Sequence, residues 1–318
     1  MDNLRQCISG KKICVTGARG RIGQCVVEKL ITLGADVVAL SEHSLEKYSK
    51  DVKWIRGSIL CEDDLIKAFH RCNIVIHLAA LTNAPDSYQF PLKYFEVNGL
   101  GTAKVLDACR QADIERLVYA STGHVYGVPT YLPIDELHPK NPLSPYAASK
   151  LAGEIAVEAY TKAFALHGFV ARISNVYGSQ MGISTVIGRA LDQAVLGFPI
   201  QLNDLSPIRD FIYIDDVVQS LIHLAFASSS ISYTAVNVSS GNGISIYDMA
   251  KIVAEVSISV GIGKGEIIHP AVSCRDQVSE IVMDNSQLIK LTGYRPNTSL
   301  EEGIKKDMKI LLERKGFC

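Results

Sequence analysis

Residues 12–23 read Lys12-Ile13-Cys14-Val15-Thr16-Gly17-Ala18-Arg19-Gly20-Arg21-Ile22-Gly23, a short apolar run followed at once by three glycines spaced three apart. The run has the length of a buried strand. From Ile22, Val26, Leu30 and Leu33 recur at helical spacing until Gly34 caps the helix. In that strand–turn–helix order, Gly17 makes the tight turn, Gly20 lets backbone approach a pyrophosphate, and Gly23 lets the helix pack on the sheet. The helix then points free N–H groups and its positive dipole end at the anion. Three glycines alone also occur in purely structural turns. In this setting they predict a dinucleotide, with Arg19, Arg21 and Ile22 beside it.

Outward from this unit, apolar runs at 36–40, 53–56, 73–79, 116–120 and 168–174 read as further buried strands, and 62–70, 95–112 and 145–167 as helices. Each parallel strand pair needs a crossover, so the alternation predicts a doubly wound α/β fold with a parallel sheet. After residue 178 the rhythm breaks into turns and shorter elements, with two closing helices at 245–256 and 300–314. The stretches 211–227 and 233–240 read as a return to the main sheet. The expected organisation is a dinucleotide-binding domain (1–178 and 212–240) and a smaller substrate-binding domain (179–211 and 241–318).

Composition excludes several classes. Across 318 residues, 32 Lys+Arg face 33 Asp+Glu without long runs of either sign, so no electrostatic footprint for nucleic acid or an acidic membrane is present. No stretch reads as a signal peptide or membrane span, which predicts a cytoplasmic protein. The eight cysteines are scattered without a Cys-x-x-Cys pair, so neither a metal site nor a disulfide framework is expected.

The second strand ends where an Asp or Glu ordinarily reads the adenosine ribose. Here Ser41 stands there, followed by Glu42 and His43. A hydroxyl does not repel a 2′-phosphate and Arg19 could pair with one, which favours NADP over NAD. Against this, Glu42 could swing in, and Ser41 equally reads as a plain strand end. Tyr146 and Lys150 lie four apart on one helix face, a spacing also common in surface pairs. Their partner is Ala120-Ser121-Thr122-Gly123-His124-Val125-Tyr126-Gly127 at a strand's carboxyl end, where open α/β sheets bind ligands. A phenol titrates too high for a neutral-pH base unless a nearby ammonium and a positive nicotinamide lower it.

With HLAA (77–80), VNGLGT (97–102), NVYG (175–178) and RDFIYIDDV (209–217) in the same order, the chain resembles the extended short-chain dehydrogenase/reductases of the NAD(P)-dependent nucleotide-sugar epimerase/dehydratase group. The resemblance spans about residues 11–310. It implies a Rossmann-type seven-stranded sheet, a C-terminal domain for a nucleoside diphosphate sugar, and a homodimer formed through helices 95–112 and 145–167. It implies Tyr146 as acid/base, Lys150 as its modulator and ribose ligand, and Thr122 as a hydrogen-bonding partner of the same sugar oxygen. Ser58, Ile59, Leu78, Ala79, Ala80 and Asn98 join the cofactor wall. Asn175, Arg209 and Arg275 would hold the substrate, the two arginines at its diphosphate.

Departures from the group's patterns direct the choice of reaction. Gly123 and His124 replace the Asp-Glu pair of 4,6-dehydratases, while His124 occupies a position that can carry a second acid/base or simply line the pocket. Ser58 replaces an acidic adenine contact. The leading expectation is therefore NADPH-dependent reduction of a 4-keto (6-deoxy) nucleotide sugar. The alternative is an NAD-dependent 4-epimerase, and a non-catalytic NAD(P)-binding regulator is the alternative of another class. His77 reads as a structural histidine.

Overall fold

A computed structural model describes residues 2–43, 52–178, 185–227, 232–269 and 278–315. Seven parallel strands form the main sheet: β1 (Lys12–Thr16), β2 (Asp36–Ser41), β3 (Val52–Arg56), β4 (Ile74–His77), β5 (Arg116–Thr122), β6 (His167–Ile173) and β10 (Tyr233–Val238). Their spatial order is β10-β6-β5-β4-β1-β2-β3, so the direction of winding reverses between β1 and β4. That reversal opens a crevice at the strands' carboxyl ends, directly above Gly17.

Residues alternate across the sheet as a period of two demands. Ile13, Val15, Val37, Ala39 and Phe169 pack toward α2 (Arg21–Thr32) and α9 (Ile214–Ala225). Cys14, Val38, Leu40, Leu117 and Val170 face α3 (Glu62–Phe69), α6 (Gly101–Gln111) and α7 (Pro145–Ala163). Each such aliphatic side chain contributes about 1.5–3 kcal/mol on burial. Cys14, Cys72 and Cys109 sit inside this core, where burial pushes the Cys72 thiol up to about 11. They are apolar filling, as their sequence contexts suggest.

The expected helix over 95–112 is not uniform. After α4 (Ala84–Gln89) and α5 (Pro91–Tyr94), residues Phe95–Leu100 form a π-helical turn before α6. Asn98 supplies the reason. Its side-chain oxygen accepts from Leu81 N–H at 2.8 Å, and its amide donates to Leu81 C=O at 3.0 Å and Ser149 Oγ at 2.9 Å. Those ties pull the turn wide, a distortion typical of functional sites.

The remaining elements are an N-terminal α1 (Asp2–Ile8), β7 (Asn175–Tyr177), α8 (Val186–Val195), β8 (Ile200–Gln201), β9 (Ile208–Tyr213), β11 (Gly243–Ser245), α10 (Ile246–Ser259), β12 (Ile267–Ile268), β13 (Glu280–Ile281), α11 (Ser286–Thr292) and α12 (Leu300–Lys315). The strand at 233–240 rejoins the main sheet as expected, but the one entering 211–227 does not. β9 pairs with β7, β11 and β13 in a separate small sheet, and only its following helix α9 returns to the main core. Among the described residues no helix is long and apolar enough to cross a membrane, and no cluster of metal-ligating side chains occurs.

Candidate active site

The cleft begins at the glycine turn. Gly17 has φ +66°, and a Cβ there would lie 2.6 Å from Ala79 N. A Cβ on Gly23 would lie 2.3 Å from Gly17 O. Only glycine fits either position, and Gly20 N–H closes the turn onto Gly17 C=O at 2.8 Å. Gly20 is also the N-cap of α2 and has no side chain to cap it, so the first-turn N–H groups of α2 remain available to an anion. This narrow, donor-lined turn fits a dinucleotide pyrophosphate.

From there a cleft of about 480 Å³ runs past Leu78 and Ala80 to Thr122, His124, Tyr146 and Lys150, and on to Asn175 and Phe211. Arg21, Ile22 and Gly23 line its cofactor end. Two chain segments expected to act together are thus brought together: the carboxyl end of β5 and the first turn of α7. Ser144 caps α7 by accepting from Ala147 N–H at 3.2 Å, and Pro145 occupies its first position, which fixes where Tyr146 starts the helix.

Tyr146 is 9 % exposed. Burial pushes its phenol up, and the Thr122 hydroxyl opposes this by hydrogen bonding to it. Thr122 Oγ1 also accepts from His124 N–H at 3.3 Å, which leaves the Thr122 proton to point at Tyr146. The His124 and Tyr94 rings stand edge-on to Tyr146 at 6.4 and 6.3 Å. Lys150 is 3 % exposed, its Nζ 4.2 Å from the Tyr119 ring centroid. Burial lowers its ammonium to about 7, while Glu154 one turn on pulls the other way. The lowering of Tyr146 expected from the sequence is therefore not found in the protein alone. Burial dominates, and in the protein alone the phenol is held neutral.

Three groups behind this centre escaped the sequence reading. Glu154 is fully enclosed, pairs with Arg172 at 2.9 Å and accepts from Ser121 Oγ. Arg172 also donates to Tyr126 Oη at 2.9 Å, which donates to Asn237 Oδ1 at 2.7 Å. This network ties α7 to β5, β6 and β10. Its only sequence signal is the four-residue step from Lys150 to Glu154. Met283 is the third: it is buried over Gly123, where a Cβ would lie 2.7 Å from its Sδ, so any side chain there would require the end of Met283 to move.

Other expected site residues lie elsewhere. Ala79 N–H donates to Thr16 Oγ1 at 3.3 Å beneath the turn, and Ile59 is buried against Gly101. Asn98 is buried and braces the Leu81 segment. Arg19 is exposed, its carbonyl accepting from Gln24 Nε2 at 2.7 Å. Ser41 turns its hydroxyl back to accept from His43 N–H at 3.3 Å, and Ser58 Oγ donates to Glu42 Oε1 at 2.6 Å. A carboxylate is thus held at the end of β2, contrary to the arrangement on which the NADP preference rested. Arg209 does not line the cleft: its guanidinium donates to the carbonyls of Ile208 and Val278, each at 2.8 Å, on the β9 edge. Arg275 lies outside the described residues. His77 is structural as expected, bridging Thr16 Oγ1 (2.7 Å) and Thr102 Oγ1 (3.1 Å), and burial lowers it to about 3.

The sequence pattern of the NAD dependent epimerase/dehydratase family matches residues 13–239. The chain belongs to that family. A Methanocaldococcus jannaschii protein provisionally named UDP-glucose 4-epimerase is 33 % identical over 303 residues, 92 % of this epimerase/dehydratase-family chain and 96 % of that protein. The Thermotoga maritima UDP-glucose 4-epimerase solved with UDP-glucose superposes with a TM-score of 0.86 at 26 % identity, covering 96 % of this chain and 100 % of the other. The Thermus thermophilus UDP-glucose 4-epimerase in complex with NAD does so at 0.82 and 30 % identity, covering 94 % and 98 %. The expected Rossmann-type fold with its parallel seven-stranded sheet is borne out, and the expectation of an NAD(P)-dependent nucleotide-sugar enzyme stands. Between the two reactions weighed, these relatives favour the 4-epimerase over the reductase.

Proposed function

We propose that this chain is an NAD-dependent nucleotide-sugar 4-epimerase. The observation that carries the reading is the cleft that joins the glycine turn to Tyr146, Thr122 and Lys150, with Gly123 and His124, not two carboxylic acids, following Thr122. In this reading Tyr146 takes the proton of the sugar's 4-hydroxyl as the C4 hydrogen leaves as hydride. It returns that proton to the 4-oxygen once the keto sugar has turned its other face. Thr122 orients the same oxygen, and Lys150 supplies positive charge beside the phenolate and a donor to the nicotinamide ribose. A bound oxidised nicotinamide supplies the hydride acceptor and a further positive charge. Asn175 lies on the substrate side of the cleft, and we assign His124 to the pocket wall next to the 4-oxygen.

Residues 1–178 and 212–240 would carry the dinucleotide, and 179–211 and 241–318 the nucleotide sugar. A homodimer through the packed helices around 95–112 and 145–163 is supported by exposed Phe95, Leu100 and Ile155.

The test is incubation of purified protein with UDP-glucose without added dinucleotide, followed by proton NMR. The C4 epimer should accumulate, and Tyr146→Phe should slow this by at least ~100-fold. Consumption of a 4-keto-6-deoxy nucleotide sugar with stoichiometric NADPH oxidation, and no epimerisation, would establish the reductase instead.

A further inference from the structure

We infer that Glu42, locked by Ser58, makes the dinucleotide site select NAD(H) and reject NADP(H), in place of the strand-terminal acid that this chain lacks. The inference rests on the glycine turn being a dinucleotide site. β2 and β3 run parallel and side by side, with Ser41 in register with Arg56 and Gly57 N–H donating to Ser41 C=O at 2.9 Å. Their carboxyl ends are therefore fixed relative to each other, and Glu42 and Ser58 leave them as neighbours.

The direction of the Ser58–Glu42 bond is also fixed. Ser58 Oγ accepts from Leu60 N–H at 3.3 Å, so its one proton is left for the Glu42 carboxylate at 2.6 Å. Asp64 in turn accepts from Ser58 N–H at 3.0 Å and holds the loop. Ser41, meanwhile, spends its oxygen on His43 N–H, the local turn that carries the chain outward at Glu42. The result is an exposed carboxylate with Oε1 bound, while Oε2 has no partner among the described residues. An ionised carboxylate only accepts hydrogen bonds, so it suits a vicinal diol and repels a phosphate monoester. The sequence change from acid to serine at 41 is thus offset by a shift of one residue, stabilised by the serine at 58.

The experiment measures dissociation constants of NADH and NADPH by cofactor fluorescence on dinucleotide-stripped protein, for the wild type, Glu42→Gln and Ser58→Ala. It also identifies the dinucleotide released when freshly purified wild type is denatured. The expected result is release of NAD, and tighter wild-type binding of NADH than of NADPH. In Glu42→Gln that preference should shrink about tenfold or more, chiefly through gained NADPH affinity, with a smaller shift of the same sign in Ser58→Ala. Glu42 is exposed and Ser58 half-buried after a strand end, so far-ultraviolet circular dichroism should be unchanged. Binding of both dinucleotides with the same ratio in Glu42→Gln as in wild type would overturn the inference and leave the dinucleotide site standing, as would a wild type that prefers NADPH. Failure of folded wild type to bind either would overturn both.

Discussion

Lys150 concentrates the residue-scale physics of the site. An ammonium enclosed by β5 and α7 is poorly solvated, and burial brings it from 10.5 to about 7. Because its proton affinity is lower folded than unfolded, the unfolded chain holds more protons between about pH 7 and 10.5, and stability rises with pH over that window. Below it the cost of the buried charge is fully present. In dinucleotide-free protein, Lys150→Met should therefore raise the melting temperature most near pH 6, with the gain fading toward pH 10. A gain independent of pH would mean that packing alone is responsible. The pairing of Tyr146 with Lys150 was legible in the sequence because helix geometry fixes a four-residue step. The outcome for their proton affinities was not, since it depends on how much chain covers them.

Among the elements, the helical hairpin of the π-turn, α6 and α7 carries most of the site's precision. Asn98 widens the turn to reach Leu81 and Ser149, and Gly153 lets α7 approach β5 so closely that a Cβ there would lie 2.3 Å from Tyr119 Oη. The hydrophobic spacing of 95–112 announces a helix but not its widened turn, because that turn is imposed by hydrogen bonds to residues distant in sequence. The opposite face of the hairpin exposes Ile155 (60 %), Leu100 (53 %) and Phe95 (41 %). Covered by a second copy, these side chains would contribute to a stable interface. Sedimentation should then give twice the chain mass, and Ile155→Asp should shift it toward the single chain by raising the dimer dissociation constant about tenfold or more. A wild type that sediments as a single chain would remove the dimer.

For the molecule as a whole, the doubly wound sheet follows from the first twelve quoted residues and the alternation behind them. The reversal of winding between β1 and β4 puts the glycine turn and the β5 terminus on one edge, and thereby assembles a cleft from residues more than a hundred positions apart. The sequence pattern located the glycine turn, Thr122, Tyr146 and Lys150. At the cofactor end it showed Glu42 as able to swing in but not what would hold it there, because the Ser58 hydroxyl that binds Glu42 arrives after the next strand. The small sheet around β9 was equally hidden: its two- to six-residue strands pair across long gaps and carry little periodicity of their own.

Reversible removal and return of the same hydrogen at C4 can be followed with UDP-glucose carrying deuterium at C4, incubated with the purified protein in ordinary water without added dinucleotide. The C4 epimer should form with the deuterium still at C4, and Tyr146→Phe should suppress it. An epimer in which solvent hydrogen has replaced the label would contradict hydride return, and no epimer from this or other nucleotide hexoses would contradict the 4-epimerase reading itself.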